Sequence, residues 1–555
     1  MANRDGRRRR RSRAPAPDLV ESPAAWLPSE WHPSRLPGAL LSRLRAGVVQ
    51  AGHLGRLRHA MARLTRGKPL TVVTLGASVT SDYAGISGPM QERFKLGYVG
   101  LPGRCTGRCV HLGWALPIFR FLQQLGGVNG STCSTAANAS AIVNAGQAAR
   151  YVDNYLDCTA SVVPAEADII VVDGVNGMSP MVGNHVKPTE KVLRRLLSLP
   201  HQPAIVLLHW MDWCACARSC QPSASNVLRK DRHRNGSCYT AEGFRQSYEV
   251  STRREQSSWA SLARHYQFAV LSMRSAFHPL ARAGQGTSNS SSDDDGLSGD
   301  GDGPASWTSD GLHPKMCLGS WQKCRYSLLI AALLNTFLAD VHGGHHHWPL
   351  VGGGHDQPLP LSAMPLRSRA SERTMPVERC FGWGVDRRVT PPIDRRVSTP
   401  ARDGWRQTSM DTAHSFDPPA HCTGRRSQQS LPTCPKAKAG LTAFSPGSVV
   451  VFELPVSSST TTTAPGRSWS ASLTLGFLTS YEGMGMAVAS CMRGCECEPT
   501  TVDAHRSALI SVVERLSWPV RLHGDTCAVS VVLENRTRSG GTKFKVDSIT
   551  LRWAY

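Results

Sequence analysis

Apolar residues change their spacing three times along this chain, and each change predicts a different kind of structure. Between residues 66 and 342, short runs of aliphatic residues stop on Gly, Ser, Asn or Asp and alternate with stretches whose apolar positions recur every three or four residues. Thr71–Leu75, Ala141–Asn144, Asp168–Asp173, Ala204–His209 and Phe268–Ser272 carry no polar alternation, which predicts strands buried on both faces. Trp114–Leu125, Val186–Leu199, Ala241–Tyr266 and Tyr326–Val341 have helical spacing. Strands alternating with helices imply a short, mostly parallel sheet covered on both faces, an α/β architecture.

On either side the pattern differs. Residues 1–65 are basic and proline-containing and are expected to be largely disordered, apart from one helical candidate, Leu36–Leu57. Its Leu40, Leu41, Leu44 and Val48 share a face that would pack on the chain's own domain or lie on a membrane surface. Residues 284–305, rich in Ser, Gly and Asp, bury too little apolar surface to offset ordering entropy, which predicts a disordered insertion. Residues 343–436 carry Pro, Arg and Ser without sustained periodicity and are expected to be mostly linker and irregular loops. From 437 to 555, β-branched and aromatic runs separated by turn residues predict an antiparallel β-sandwich: 448–454, 468–478, 486–491, 527–533 and 542–553. Tyr481, Trp518 and Trp553 there are either core residues or stacking platforms for a sugar.

The chemistry gathers at strand ends. Gly76-Ala-Ser78 leaves the first strand in a sharp turn at the end where open α/β sheets keep their ligand sites, and a serine there can present its hydroxyl to a cleft. A serine needs an imidazole to take its proton and a carboxylate to fix that imidazole's tautomer, and Asp310-Gly-Leu-His313 supplies both. Gly146, ending the second strand segment, and Asn176, in Gly174-Val-Asn176 after the third, are donors suited to a developing oxyanion.

Ser, Gly, Asn and His in this order, each just beyond a strand or before the last helix, resemble the four blocks of the SGNH (GDSL-like) hydrolases. The resemblance covers residues 66–342 and implies a three-layer α/β/α, flavodoxin-like esterase domain. It implies Ser78 as nucleophile, His313 as base, Asp310 as its orienting partner, and Ser78 N–H, Gly146 N–H and the Asn176 amide as oxyanion hole, with no metal or organic cofactor. Two acidic residues of the family blocks are absent: Ala77 stands in the Gly-Asp-Ser block and Gly177 in the Gly-x-Asn-Asp block. The C-terminal region resembles, more loosely, β modules attached to such hydrolases in algal and plant proteins.

Composition narrows the setting. A net charge of +22 favours anionic surfaces, but no nucleic-acid-binding signature accompanies it, so no specific nucleic-acid partner is expected. Among the 17 cysteines, close groups such as Cys105/Cys109, Cys317/Cys324 and Cys491/Cys495/Cys497/Cys527 lack histidines at zinc spacing and read as disulfides. Asn129, Asn138, Asn235, Asn289 and Asn535 each open an Asn-x-Ser/Thr triplet. Both features point to secretion or the secretory lumen, although the arginine-rich start carries no recognisable signal peptide. No window of 18 apolar residues exists, so no spanning helix is expected. His342 and His345–His347 are a solvated run more readily than a metal site.

Together these features describe a serine esterase removing acyl, chiefly acetyl, groups from carbohydrate. The alternatives are acetyl transfer onto a polysaccharide and a non-catalytic glycan-binding protein retaining the fold.

Overall fold

The computed structural model describes residues 36, 38–77, 79–80, 114, 118, 121–122, 124–126, 141–146, 152–156, 159, 163–173, 186–211, 245, 248–249, 251–253, 255–277, 325–344, 377–382, 398–408, 440–456, 469–481, 483–507 and 511–553. Its first part runs α1 (Gly38–Ala46), β1 (Val48–Gln50), α2 (Gly55–Thr65), β2 (Thr71–Leu75), β3 (Ala141–Asn144), a 3-10 turn (Val152–Leu156), β4 (Ile169–Asp173), α3 (Val186–Leu197), β5 (Ala204–His209), α4 (Ala260–Tyr266), β6 (Ala269–Ser272) and α5 (Arg325–His342). These strands form one sheet in the order β1-β6-β5-β4-β2-β3, with β2 to β6 parallel and β1 antiparallel at the edge.

Alternation along each strand divides the core in two. Val72, Ile169, Val171, Val206, Leu208 and Leu271 face α1, α2 and α5. Val73, Leu75, Ile170, Val172, Leu207 and Val270 face the 3-10 turn, α3 and α4. Each such side chain contributes about 1.5–3 kcal/mol by leaving water, which is why the strands read as unbroken apolar runs. Ile118, Phe121 and Leu122, at helical spacing, are buried in the first of these layers.

The N-terminal candidate helix departs from expectation. Residues 36–57 do not form one helix but break into α1 and β1, followed by a turn into α2, and all three elements belong to the sheet domain. Two glycines explain the break. A Cβ at Gly47 would meet Leu333 Cδ1 at 2.8 Å and Ala276 Cβ at 2.9 Å, so only a bare backbone can turn there against α5. Gly52 has φ +67° and would place a Cβ 2.5 Å from the Gln267 carbonyl oxygen. Arg45 then fastens α1 to α5 through two hydrogen bonds to Asp340, at 3.0 and 2.9 Å.

The C-terminal region is a pair of antiparallel sheets. Its strands are β7 (Val377–Gly382), β8 (Ser398–Asp403), β9 (Trp405–Thr408), β10 (Gly440–Ala443), β11 (Val449–Pro455), β12 (Trp469–Thr479), β13 (Met486–Arg493), β14 (Cys495–Glu496), β15 (Thr500–Asp503), β16 (Val512–Leu522), β17 (Thr526–Leu533) and β18 (Phe544–Trp553). One sheet runs β14-β16-β12-β18-β10-β9, with β7 sharing the second edge of β18; the other runs β15-β13-β17-β11-β8. Val450, Phe452 and Leu454 of β11 alternate inward, as do Leu473, Leu475 and Phe477 of β12.

Three strands, β7, β8 and β9, fall within residues 343–436, where linker and loops were expected. They carry little apolar alternation of their own and are strands because each is paired along a neighbour: β7 with β18, β8 with β11 and β9 with β10. Trp518 and Trp553, 8% and 4% exposed, belong to the sandwich core, the packing role of the two expected for them. Disulfide Cys495–Cys527 links β14 of one sheet to β17 of the other, and Cys491–Cys497 ties β13 to the segment that follows β14. The sandwich reaches the first domain through Arg552 of β18, which donates to the Leu156 carbonyl of the 3-10 turn at 3.0 Å. Burial pulls this guanidinium down to about 10.

Candidate active site

The strand order locates the crevice. The chain passes from β2 to β3 on one side and returns to β4 on the other, so the order reverses at β2 and opens a gap beyond the carboxyl ends of β2 and β4. Three expected blocks begin at this edge: Gly76-Ala77 after β2, Ala145-Gly146 after β3, and Asp173 ending β4. Their contacts are close. A Cβ on Gly76 would lie 2.3 Å from Asp173 Cβ and 2.3 Å from Thr80 Oγ1, so glycine is required for the two strand ends to meet. Ala77 N–H and the Thr80 hydroxyl both donate to Asp173 Oδ2, at 3.4 and 3.3 Å. Asp173 is 1% exposed.

Across β2, the buried Tyr155 hydroxyl lies 2.8 Å from the Gly76 carbonyl oxygen and 2.6 Å from that of Ala145. Ala145 N–H donates to Thr74 O at 2.9 Å, extending the β2–β3 ladder by one residue. Beyond the turn, Val79 and Thr80 are buried, and Trp114 Nε1 donates to the Val79 carbonyl at 3.4 Å.

Of the expected site residues, Gly146 stands half-buried at the end of β3. Ser78, Asn176, Asp310 and His313 lie outside the described residues, as do Cys317, Cys324 and the 284–305 insertion. Ala77 and Val79 are both buried.

No family model matches the chain, and no curated protein does. Solved structures similar to it include two of a two-domain esterase (CEX) active on acetylated mannans. The one co-crystallised with mannopentaose is 14% identical, with 92% of this chain and 98% of that one covered at a TM-score of 0.48. The other is 15% identical, with 92% and 99% covered at the same score. A carbohydrate-binding module from Cellvibrio mixtus lichenase 5A, in complex with cellotriose, is 11% identical; 28% of this chain and 99% of that one are covered, at a TM-score of 0.14. Likenesses of this degree assign neither substrate nor chemistry to the present chain.

A second polar group, which sequence reasoning did not single out, sits at the carboxyl ends of β5 and β6. Ser272 donates to Glu255 Oε1 at 2.8 Å, and Arg274 donates twice to Glu255 Oε2, at 3.0 and 2.7 Å. Beside them His209 packs edge-on against Trp259, ring centroids 6.3 Å apart. Burial lowers the His209 imidazole to about 4, with Glu255 opposing and Arg274 assisting, so it is neutral at neutral pH. No spacing motif announces these residues: His209 and Ser272 end apolar runs and Arg274 follows one, while Glu255 falls within the helical stretch 241–266.

Cys491, Cys495 and Cys527 bring their sulfurs within 4.8 Å of one another. All three are committed to disulfides and offer no thiolate to a metal.

Proposed function

We propose that the protein is a serine hydrolase of SGNH type that cleaves acyl, chiefly acetyl, esters on carbohydrate. The observation that carries this reading is the arrangement of the serine, glycine and asparagine blocks. Each follows one of three adjacent parallel strands, β2, β3 and β4, around the point where the strand order reverses. In this reading Ser78 attacks the ester carbonyl while His313, oriented by Asp310, takes its proton. Ser78 N–H, Gly146 N–H and the Asn176 amide hold the tetrahedral oxyanion. His313 then gives its proton to the departing sugar oxygen, which leaves as a hydroxyl, and water activated by the same histidine releases the acyl group from Ser78.

The lost block acids weaken this reading less than their positions suggest. Asp173 already gives the nucleophile turn a buried carboxylate partner, so Ala77 does not leave the turn without one. Carbohydrate is favoured by the attached β-sandwich and by the acceptor triplets, of which the described one, Asn535, is exposed. Two described disulfides suit secretion or the secretory lumen, and no helix among the described residues is long and apolar enough to cross a membrane.

A fluorophosphonate probe followed by peptide mapping tests the assignment. The expected adduct is on Ser78, with hydrolysis of p-nitrophenyl acetate and acetate release from acetylated mannan or xylan both lost in Ser78→Ala by at least about 10³-fold. Equal rates in the variant, or no turnover of any short acyl ester by wild type, would favour the non-catalytic glycan-binding alternative. Acetyl appearing on an added sugar acceptor instead of in water would reassign the reaction as transfer.

A further inference from the structure

We propose that Tyr155 is a positioning residue for this reaction: one phenol sets the orientation of both the turn that carries Ser78 and the peptide that presents the Gly146 N–H. The proposal rests on the hydrolase reading above and adds to it a residue outside the four sequence blocks.

The argument starts from peptide planarity. In a trans peptide the carbonyl and the following N–H point in opposite directions, so fixing one edge of the plane fixes the other. The Gly76–Ala77 peptide is held on both edges. Its carbonyl accepts from the Tyr155 hydroxyl at 2.8 Å, and its N–H donates to Asp173 at 3.4 Å on the opposite side. The next residue is Ser78, so this plane sets the direction in which the nucleophile turn departs from β2.

The Ala145–Gly146 peptide is held by the same phenol, through the Ala145 carbonyl at 2.6 Å. Its N–H, belonging to Gly146, is thereby directed away from Tyr155. A single hydroxyl proton shared between two carbonyls therefore ties the nucleophile block to the oxyanion block. Since oxyanion donors act only when aimed before the charge develops, a loosened Ala145–Gly146 plane weakens transition-state binding more than ground-state binding.

Tyr155 is itself rigidly supported. It is fully buried in the 3-10 turn, and Thr159 donates to its carbonyl. The neighbouring Leu156 carbonyl accepts from Arg195 of α3 and from Arg552 of the sandwich. An unsupported tyrosine would lose its direction to rotamer freedom; this one is braced from two other elements.

Tyr155→Phe removes the oxygen and keeps the ring. The expected result with p-nitrophenyl acetate is a kcat lowered about 10- to 100-fold with KM within about threefold, together with a parallel slowing of fluorophosphonate labelling at Ser78. The circular dichroism spectrum should be unchanged. A folded variant with kcat within twofold of wild type, whatever its melting temperature, overturns the proposal while leaving the hydrolase reading intact. If Tyr155→Phe does not fold, Asp173→Asn weakens the hold on the opposite edge of the Gly76–Ala77 plane. A several-fold fall in kcat at unchanged KM is then expected, and an unchanged kcat overturns the proposal. Absence of Ser78-dependent turnover in wild type overturns the hydrolase reading and this proposal together.

Discussion

His209 shows how far a single side chain can be shifted by its place at a strand end. Burial lowers it to about 4, whereas the unfolded chain holds a histidine near its ordinary 6.5. As pH falls, the unfolded state therefore takes up the proton first. The stability owed to the neutral imidazole is complete above about pH 6.5, declines between 6.5 and 4, and amounts to something on the order of 3 kcal/mol. Glu255 and Arg274 are the charged groups facing it, and they partly offset one another. Urea midpoints measured from pH 7.5 down to 4.5 should fall more steeply for wild type than for His209→Leu. Parallel slopes would show that the imidazole is not the titrating group.

At the level of elements, the residue that leads into β4 joins several of its neighbours. Asp168, just before its first residue, pairs with Arg63 of α2, accepts the Thr71 N–H of β2 at 2.8 Å and lies 3.5 Å from His201 Nδ1. Its carbonyl also accepts the Ala204 N–H that opens β5, at 2.9 Å. Asp168→Ala strands a half-buried guanidinium and the amide of half-buried Thr71, and should cost about 2–4 kcal/mol in urea unfolding. A loss below about 0.5 kcal/mol would show that water replaces the carboxylate.

At this scale the sequence was legible where burial is two-sided. The runs at 71–75, 141–144, 168–173, 204–209 and 268–272 announced β2 to β6 to within a residue, because a strand covered on both faces has no polar position to hide it. β7 and β8 were not legible, since Val-Glu-Arg-Cys-Phe-Gly and Ser-Thr-Pro-Ala-Arg-Asp become strands only through distant partners. Of the proposed site, the position of Gly146 just after β3 follows from the apolar run before it. Tyr155 was not legible, because it acts on backbone carbonyls and a residue acting that way leaves no spacing signature.

Considered whole, the molecule joins a packed α/β layer to a sandwich that carries two described disulfides. Cys495–Cys527 spans 32 residues and ties β14 of one sheet to β17 of the other. A loop of that length stabilises by about 3–4 kcal/mol in the chain-entropy account. Replacing both cysteines by alanine should therefore lower the calorimetric melting temperature of the sandwich. If the sheet domain melts independently, its transition should stay in place. A shift of both transitions together would mean that the Arg552–Leu156 contact couples the two parts into one cooperative unit.

The edge strand β1 has a practical consequence for anyone cutting the protein down to its smallest working piece. Because Val48 pairs with Leu271 and α1 and α2 cover α5, a chain begun at position 66 would lack part of its own sheet. The bare rim of β6 and an uncovered apolar helix would invite self-association, so the minimal soluble fragment has to start before Gly38.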